Sequence, residues 1–179
     1  LPALLLGVLG FRYAVDLAAR LPWRRLLLAS YGASLVWLFS LALVSGWGGV
    51  GDKLEHSYEY LDTARGITDV PAFLSEFVSR IPIDSVDASG ASDNWVTHVA
   101  GHPPGATLMF VVLDRLGLAD GFVAGSIVIV VAASLVVAML VTLRTLGAEP
   151  AARRIAPFLV FIPAAIWMGV SADAVFATT

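Results

Sequence analysis

Three stretches without a single charged side chain decide what this chain can become: Leu26 to Gly51, Phe122 to Leu143 and Ile155 to Ala172. About 20 apolar residues in a helix cross the roughly 30 Å hydrocarbon core of a bilayer. Runs of this length are rare in soluble domains, which carry roughly 25% charged residues. Here the charged share is 14% and the hydrophobic share 58%. The reading is an all-α, polytopic transmembrane helix bundle. Eleven Lys and Arg against fourteen Asp and Glu give a net charge of −3, which argues against a nucleic-acid partner. With no cysteine there is neither a disulfide frame nor a thiolate metal site.

The first run is expected to be helical over about residues 26–46, after which Gly46, Gly48, Gly49 and Gly51 interrupt it. The other two spans are expected near 122–143 and 155–172, the last kinked at Pro163. Residues 1–11 read as part of a further span. Leu1 opens inside an apolar run and Thr179 follows one, so the chain is expected to be a piece of a longer protein. Activity is expected of that longer protein rather than of these 179 residues alone.

Arginines orient the spans. Arg12, Arg20, Arg24 and Arg25 precede the first full span, and Arg144, Arg153 and Arg154 lie between the next two. The positive-inside rule places both groups on the cytoplasmic side. Residues 47–102 then form a long extracytoplasmic loop with nine acidic and three basic residues. Residues 103–118 make a short helix that either crosses or is re-entrant. The arginine pattern and its length favour a helix that does not cross.

A loop of this length is more than a connector. Glu55 to Ile67 and Val70 to Ile81 both read as short amphipathic helices. In the first, Tyr60, Ala64 and Ile67 share a face; in the second, Phe73, Phe77 and Ile81 do, with Pro71 in the opening turn. They could lie in the membrane interface or form a small folded cap. Asp84 to Asn94 is polar and turn-rich.

Candidate chemistry concentrates in the loop. Asp52, Glu55, His56, Glu59 and Asp62 form a dense cluster, and a helix would put Glu55, Glu59 and Asp62 on one face. Three like charges there call for a cation or a function. His98 and His102 have the i, i+4 spacing of helical zinc ligands, but Pro103 disfavours a helix at His102 and no HExxH glutamate is present. Asp173, just beyond an uncharged run, is an ionisable group near membrane depth and hence a functional candidate. The positive-inside argument places Glu55, Glu59, His102 and Asp173 at one membrane face.

The order of these features resembles the N-terminal part of C-type (GT-C) membrane glycosyltransferases, the group of protein O-mannosyltransferases and lipid A aminoarabinose transferases. The matching positions are Tyr60, Ala64 and Arg65, then His102-Pro103-Pro104-Gly105, then Ser171-Ala172-Asp173. The pattern departs where His56 and Ser57 stand in place of the family's acidic pair, and where His102 replaces a frequent lysine. The resemblance implies a multi-pass protein of the bacterial plasma membrane with its site on the outer face. It would use a polyprenyl-phosphate-linked sugar donor and a cell-envelope acceptor. It makes Glu59, then Glu55, then Asp52 the candidate base, with Asp173 a second catalytic carboxylate. It makes Asp52, Tyr60, Arg65 and His102 substrate-binding, and allows a divalent cation without requiring one. The competing readings are a transporter and a structural membrane protein with an acidic outer loop.

Overall fold

The computed structural model describes residues 2–178. Among these, every regular element is a helix, and the one pairing of extended backbone is an antiparallel bridge between Val86 and Ser92. Three helices are long and apolar enough to cross a membrane: α1 (Pro2–Arg20), α2 (Trp23–Ala42, prolonged by a tighter turn to Ser45) and α7 (Gly121–Thr145). With 25 residues, α7 would reach about 37 Å. Leu4, Val8, Phe11, Leu28 and Val36 are exposed on α1 and α2, as lipid-facing side chains would be.

Two spans differ in extent from the sequence reading. The first run does not stop near residue 11; α1 continues through Arg12 and Asp16 to Arg20, because nothing breaks the helix before Pro22. Residues 155–172, expected as one span, are divided among α8 (Glu149–Val160), α9 (Ala165–Met168) and α10 (Asp173–Phe176). Pro157 is held inside α8, whereas Pro163 lacks the N–H that a continuing helix needs.

The chain forms two compact units, one of residues up to Val50 and from Gly125 onward, the other Gly51–Ala124. In the first, α8 lies against α1 and α2. Ala152 and Ala156 are fully buried there with Leu26, Val136, Leu140 and Val160. Arg153 donates to the carbonyls of Ala18 (3.2 Å) and Leu21 (2.8 Å), satisfying acceptors that the end of α1 leaves unpaired. It also pairs with Glu149 at 2.8 Å, and Glu149 takes Arg144 at 3.0 Å. Arg144 stacks over the Trp23 ring at 4.6 Å. The two arginine groups flanking the apolar helices are thus brought side by side.

The second unit holds α3 (Tyr60–Gly66), α4 (Val70–Glu76), α5 (Thr97–Gly101) and α6 (Pro104–Arg115). Its 12 residues give α6 only about 18 Å. Instead of presenting apolar sides all round, α6 packs on α3, burying Ala106, Thr107, Phe110 and Val111 beside Leu61 and Ala64. Gly117, at φ 73°, ends α6: its N–H reaches Asp114 and that of Leu118 reaches Leu113, the paired bonds of a Schellman stop. Asp120 then caps α7 by accepting from the N–H groups of Phe122 and Val123.

Around α4 a small aromatic core forms from Phe73, Phe77 and Trp95. Asp69 caps the helix through Ala72 N–H, with Pro71 in its first turn as expected. The helix ends at Glu76, so Ile81 falls outside it and is exposed while Phe73 and Phe77 are buried. Trp95 donates from Nε1 to Phe77, and Arg80 lies 3.6 Å over its ring while pairing with Asp93 at 2.8 Å. Residues 69–95 thus fold around a core of their own.

Candidate functional site

The acidic cluster does not lie on one helix. Gly51 to Glu59 is a succession of turns and bends, and α3 begins only at Tyr60. Most of its backbone bonds close over three residues, as in Leu54 to Gly51, His56 to Lys53 and Glu59 to His56. Leu54 is drawn fully into the core, and the tighter path that buries it rotates Glu55 and Glu59 to different surroundings. The expected shared face of Glu55, Glu59 and Asp62 is therefore not formed.

Glu55 and Arg65 make one constellation. The guanidinium binds both oxygens of Glu55 at 2.8 Å, reaches Asp62 at 3.2 Å and donates to the carbonyl of Ala119. The cation demanded by this acidic cluster is the chain's own arginine. The Arg65 hydrogen bonds hold the Glu55 carboxyl below its ordinary range, and Glu55 in turn raises Arg65. Such a carboxylate is a poor base, and both terminal nitrogens of the guanidinium are already engaged. The fork lies against a tight backbone crossing: a Cβ on Gly121 would sit 2.7 Å from Glu55 Cγ, and one on Gly51 would sit 2.6 Å from the Gly121 carbonyl carbon.

Glu59 makes the other. It stands at the N-cap position of α3 but does not cap the helix. It is 3% exposed, and its Oε1 lies 3.4 Å from Nδ1 of His98. That nitrogen is also 3.1 Å from the carbonyl of Tyr58. His98 lies on α5 and His102 just beyond it, in extended conformation before Pro103 as the sequence predicts. The two imidazoles stack nearly parallel, 6.4 Å apart. Nδ1 of His102 is 2.6 Å from the Tyr60 hydroxyl and 3.0 Å from the carbonyl of His98. Tyr60 is itself buried and stacked on Phe110, so α6 fixes its ring. His56 stacks on Tyr58 at 4.1 Å, and Tyr58 lies 6.0 Å from His98. All three histidines of the chain meet here with two tyrosines and a buried carboxylate.

Of the residues singled out in the sequence, the structure joins Glu59, Tyr60 and His102 in this cluster and Glu55 with Arg65 in the fork. Asp52 is exposed and belongs to neither. Asp173 is part of the other unit, at the start of α10, where Ser171 Oγ donates to its carboxylate at 2.9 Å. It lines a cavity of about 320 Å³ that is otherwise almost wholly apolar, with Ser34, Leu38, Met139 and Trp167 in its wall. His98 was visible in the sequence only as half of a zinc-like pair. Its spacing to His102 reflects the stacking of the two imidazoles, and Glu59, far away in sequence, is the group that completes the arrangement. Among the described residues no three His, Asp or Glu side chains are grouped as a metal would require. Comparison with protein-family profiles, characterised proteins and solved structures finds no match.

Proposed function

We propose that this chain is part of a membrane glycosyltransferase that moves a sugar from a polyprenyl-phosphate donor to a hydroxyl of a cell-envelope acceptor, on the outer face of a bacterial plasma membrane. The observation that carries the reading is the convergence of Glu59, Tyr60, His98 and His102 in the unit between α2 and α7. It supplies what the reaction needs: a carboxylate and imidazoles to take a proton, and a group able to turn cationic beside a departing phosphate. His102 is the donor-side cation in this reading. Glu55 and Arg65 hold the loop together rather than react.

The sidedness has its own support. Arg153 on the carbonyls of Ala18 and Leu21, and Arg144 over Trp23, keep both arginine groups together, as one cytoplasmic face would. With α6 too short to cross, α2 leads out, α7 leads back, and the loop between them is external.

Two measurements test this in the full-length protein in membranes. The chain has no cysteine, so single cysteines at Ser89 and Ala151 can be labelled with a membrane-impermeant maleimide. The first should react in intact cells and the second only after permeabilisation; the reverse would remove the outer-face assignment. Transfer from polyprenyl-phosphate sugars should fall by about 100-fold or more in Glu59→Gln and His102→Gln, on the scale of acid–base and charge-stabilising groups. Full transfer in both, at normal expression, would return the cluster to a structural role.

A further inference from the structure

Glu59 has the chemistry of a base without the access. Its side chain is 4% exposed, while that of its partner His98 is 37% exposed. The imidazole presents surface to solvent and the carboxylate almost none. The contacts of His98 also favour one place for its ring proton. Nδ1 faces only acceptors, the carbonyl of Tyr58 at 3.1 Å and Oε1 of Glu59 at 3.4 Å, so Nδ1 carries the hydrogen. In the neutral ring the basic lone pair is then on Nε2, across the ring from the buried carboxylate. This is the logic of a carboxylate–histidine pair, in which the acid fixes the tautomer and stabilises the imidazolium that forms.

We infer that the proton-accepting atom of the site is Nε2 of His98, and that Glu59 acts through it as a positioning carboxylate. The inference deepens the glycosyl-transfer reading and rests on it for the identity of the proton donor, an acceptor hydroxyl. In the step, the hydroxyl oxygen bonds to the anomeric carbon of the donor sugar as the bond from that carbon to the phosphate oxygen breaks. The bonding pair leaves with the polyprenyl phosphate. The hydroxyl proton passes to Nε2, giving an imidazolium held by Glu59, which later returns the proton to water. The other titratable groups around His98 are Tyr58, on which His56 stacks, Tyr60 from α3, and His102 following α5; α6 presents the Phe110 ring beneath Tyr60. Since α3, α5 and α6 pack together, the imidazole is held on a rigid frame.

The test begins without substrate. In the full-length protein, labelled with ¹⁵N-histidine, only three imidazoles from this segment contribute, and His98→Gln assigns the relevant one. Neutral His98 should show a protonated Nδ1 and a bare Nε2, and Glu59→Gln should change that balance. Carbethoxylation of His98 by diethylpyrocarbonate should slow about fivefold in Glu59→Gln. A His98 protonated on Nε2 in the unmodified protein, or a tautomer and reactivity indifferent to Glu59→Gln, overturns the inference. The second arm uses polyprenyl-phosphate mannose and polyprenyl-phosphate arabinose as donor probes. His98→Gly should lose about 100-fold in transfer and regain part of it with added imidazole, whereas Glu59→Gln should lose transfer and gain nothing from imidazole. Full transfer by His98→Gly beside an inactive Glu59→Gln would make Glu59 the base and overturn the inference while leaving the glycosyltransferase reading intact. No transfer from either probe by the unmodified protein, with the tautomer as expected, overturns that reading and leaves the histidine–carboxylate pair standing.

Discussion

Glu55 and Glu59 lie one helical turn apart in sequence, yet they sit in opposite kinds of surroundings. Glu55 is half-exposed and gives both oxygens to Arg65. Glu59 is buried and shares one edge with an imidazole that reaches the surface. A guanidinium cannot release its proton in a working pH range, so the first pair is a strut. An imidazole can, so the second pair can move a proton. The partner, more than the carboxylate, decides what each region does. The largest separation between them should appear in transfer activity. Glu59→Gln should lower kcat by about 10²- to 10⁴-fold while its melting transition stays close to that of the unmodified protein. Glu55→Gln should show the reverse weighting, less than about tenfold in rate with a lower melting temperature. Equal rate losses would erase the distinction.

The backbone beneath the strut gives the next effect. A Cβ on Gly51 would meet the carbonyl carbon of Gly121 and the amide nitrogen of Phe122, both at 2.6 Å. Backbone cannot swing aside as a side-chain tip can, so Gly51→Ala should cost about 3 kcal/mol by overpacking. Gly66→Ala, where a Cβ meets nothing within 4 Å, is the matched control and should change stability by less than about 1 kcal/mol. Thermal unfolding in detergent, followed by helical circular dichroism, measures both. An equally mild Gly51→Ala would show that this crossing is slack and that Arg65 alone fixes Glu55.

The long apolar helices were legible because hydrocarbon imposes a length and a composition that chemistry cannot disguise. α2 and α7 fall where uncharged runs predicted them. The end of α1 was harder to read: Arg12 and Asp16 interrupt hydropathy without interrupting a helix. The division of residues 155–172 at Pro163 shows the converse, an apolar run whose backbone does not continue as one helix. In the loop, periodicity identified Tyr60, Ala64, Phe73 and Phe77 as buried, and the proline after His102 predicted its extended backbone. Periodicity failed for Glu55 to Glu59, because burial of Leu54 selected tight turns over a helix and sent neighbouring carboxylates different ways. The pairing of Glu59 with His98 bridges 39 residues, and no local rule encodes such a contact. The i, i+4 spacing of His98 and His102 pointed to their proximity and carried no sign of Glu59.

Removing the arginine sharpens the strut half of the comparison. Arg65→Ala deletes the fork to Glu55 together with the bond to the carbonyl of Ala119. The ionic partners are both more than a third exposed, so screening limits the ion pair to about 1 kcal/mol, with a similar amount from the carbonyl bond. Arg65→Lys should recover only part of this, since an ammonium cannot span both carboxylate oxygens and reach Ala119. Denaturation midpoints of the three proteins should rank Arg, Lys, Ala. A lysine variant equal to the unmodified protein would mean that charge alone, and not the fork, carries the effect.

The smallest effect is in pH, and its sign is fixed. Arg65 hydrogen bonding lowers the Glu55 carboxyl from its ordinary 4.5, outweighing the opposing influence of burial. A carboxylate with a depressed folded-state value adds stability that is fully present above 4.5. That contribution fades as pH falls through the lower folded value. Unmodified protein should therefore melt above Glu55→Gln at pH 7 by a degree or two, on the order of a few tenths of a kcal/mol for a half-exposed pair. The two curves should converge in acid as the carboxyl is protonated and the pair with Arg65 is lost in both. Convergence beginning near neutrality would instead implicate imidazole titration, and would mean that the histidine cluster and the strut are coupled. Parallel curves down to strong acid would show that Arg65 gives Glu55 no charge-dependent stability, leaving its bonds to Asp62 and to the carbonyl of Ala119 as its contribution.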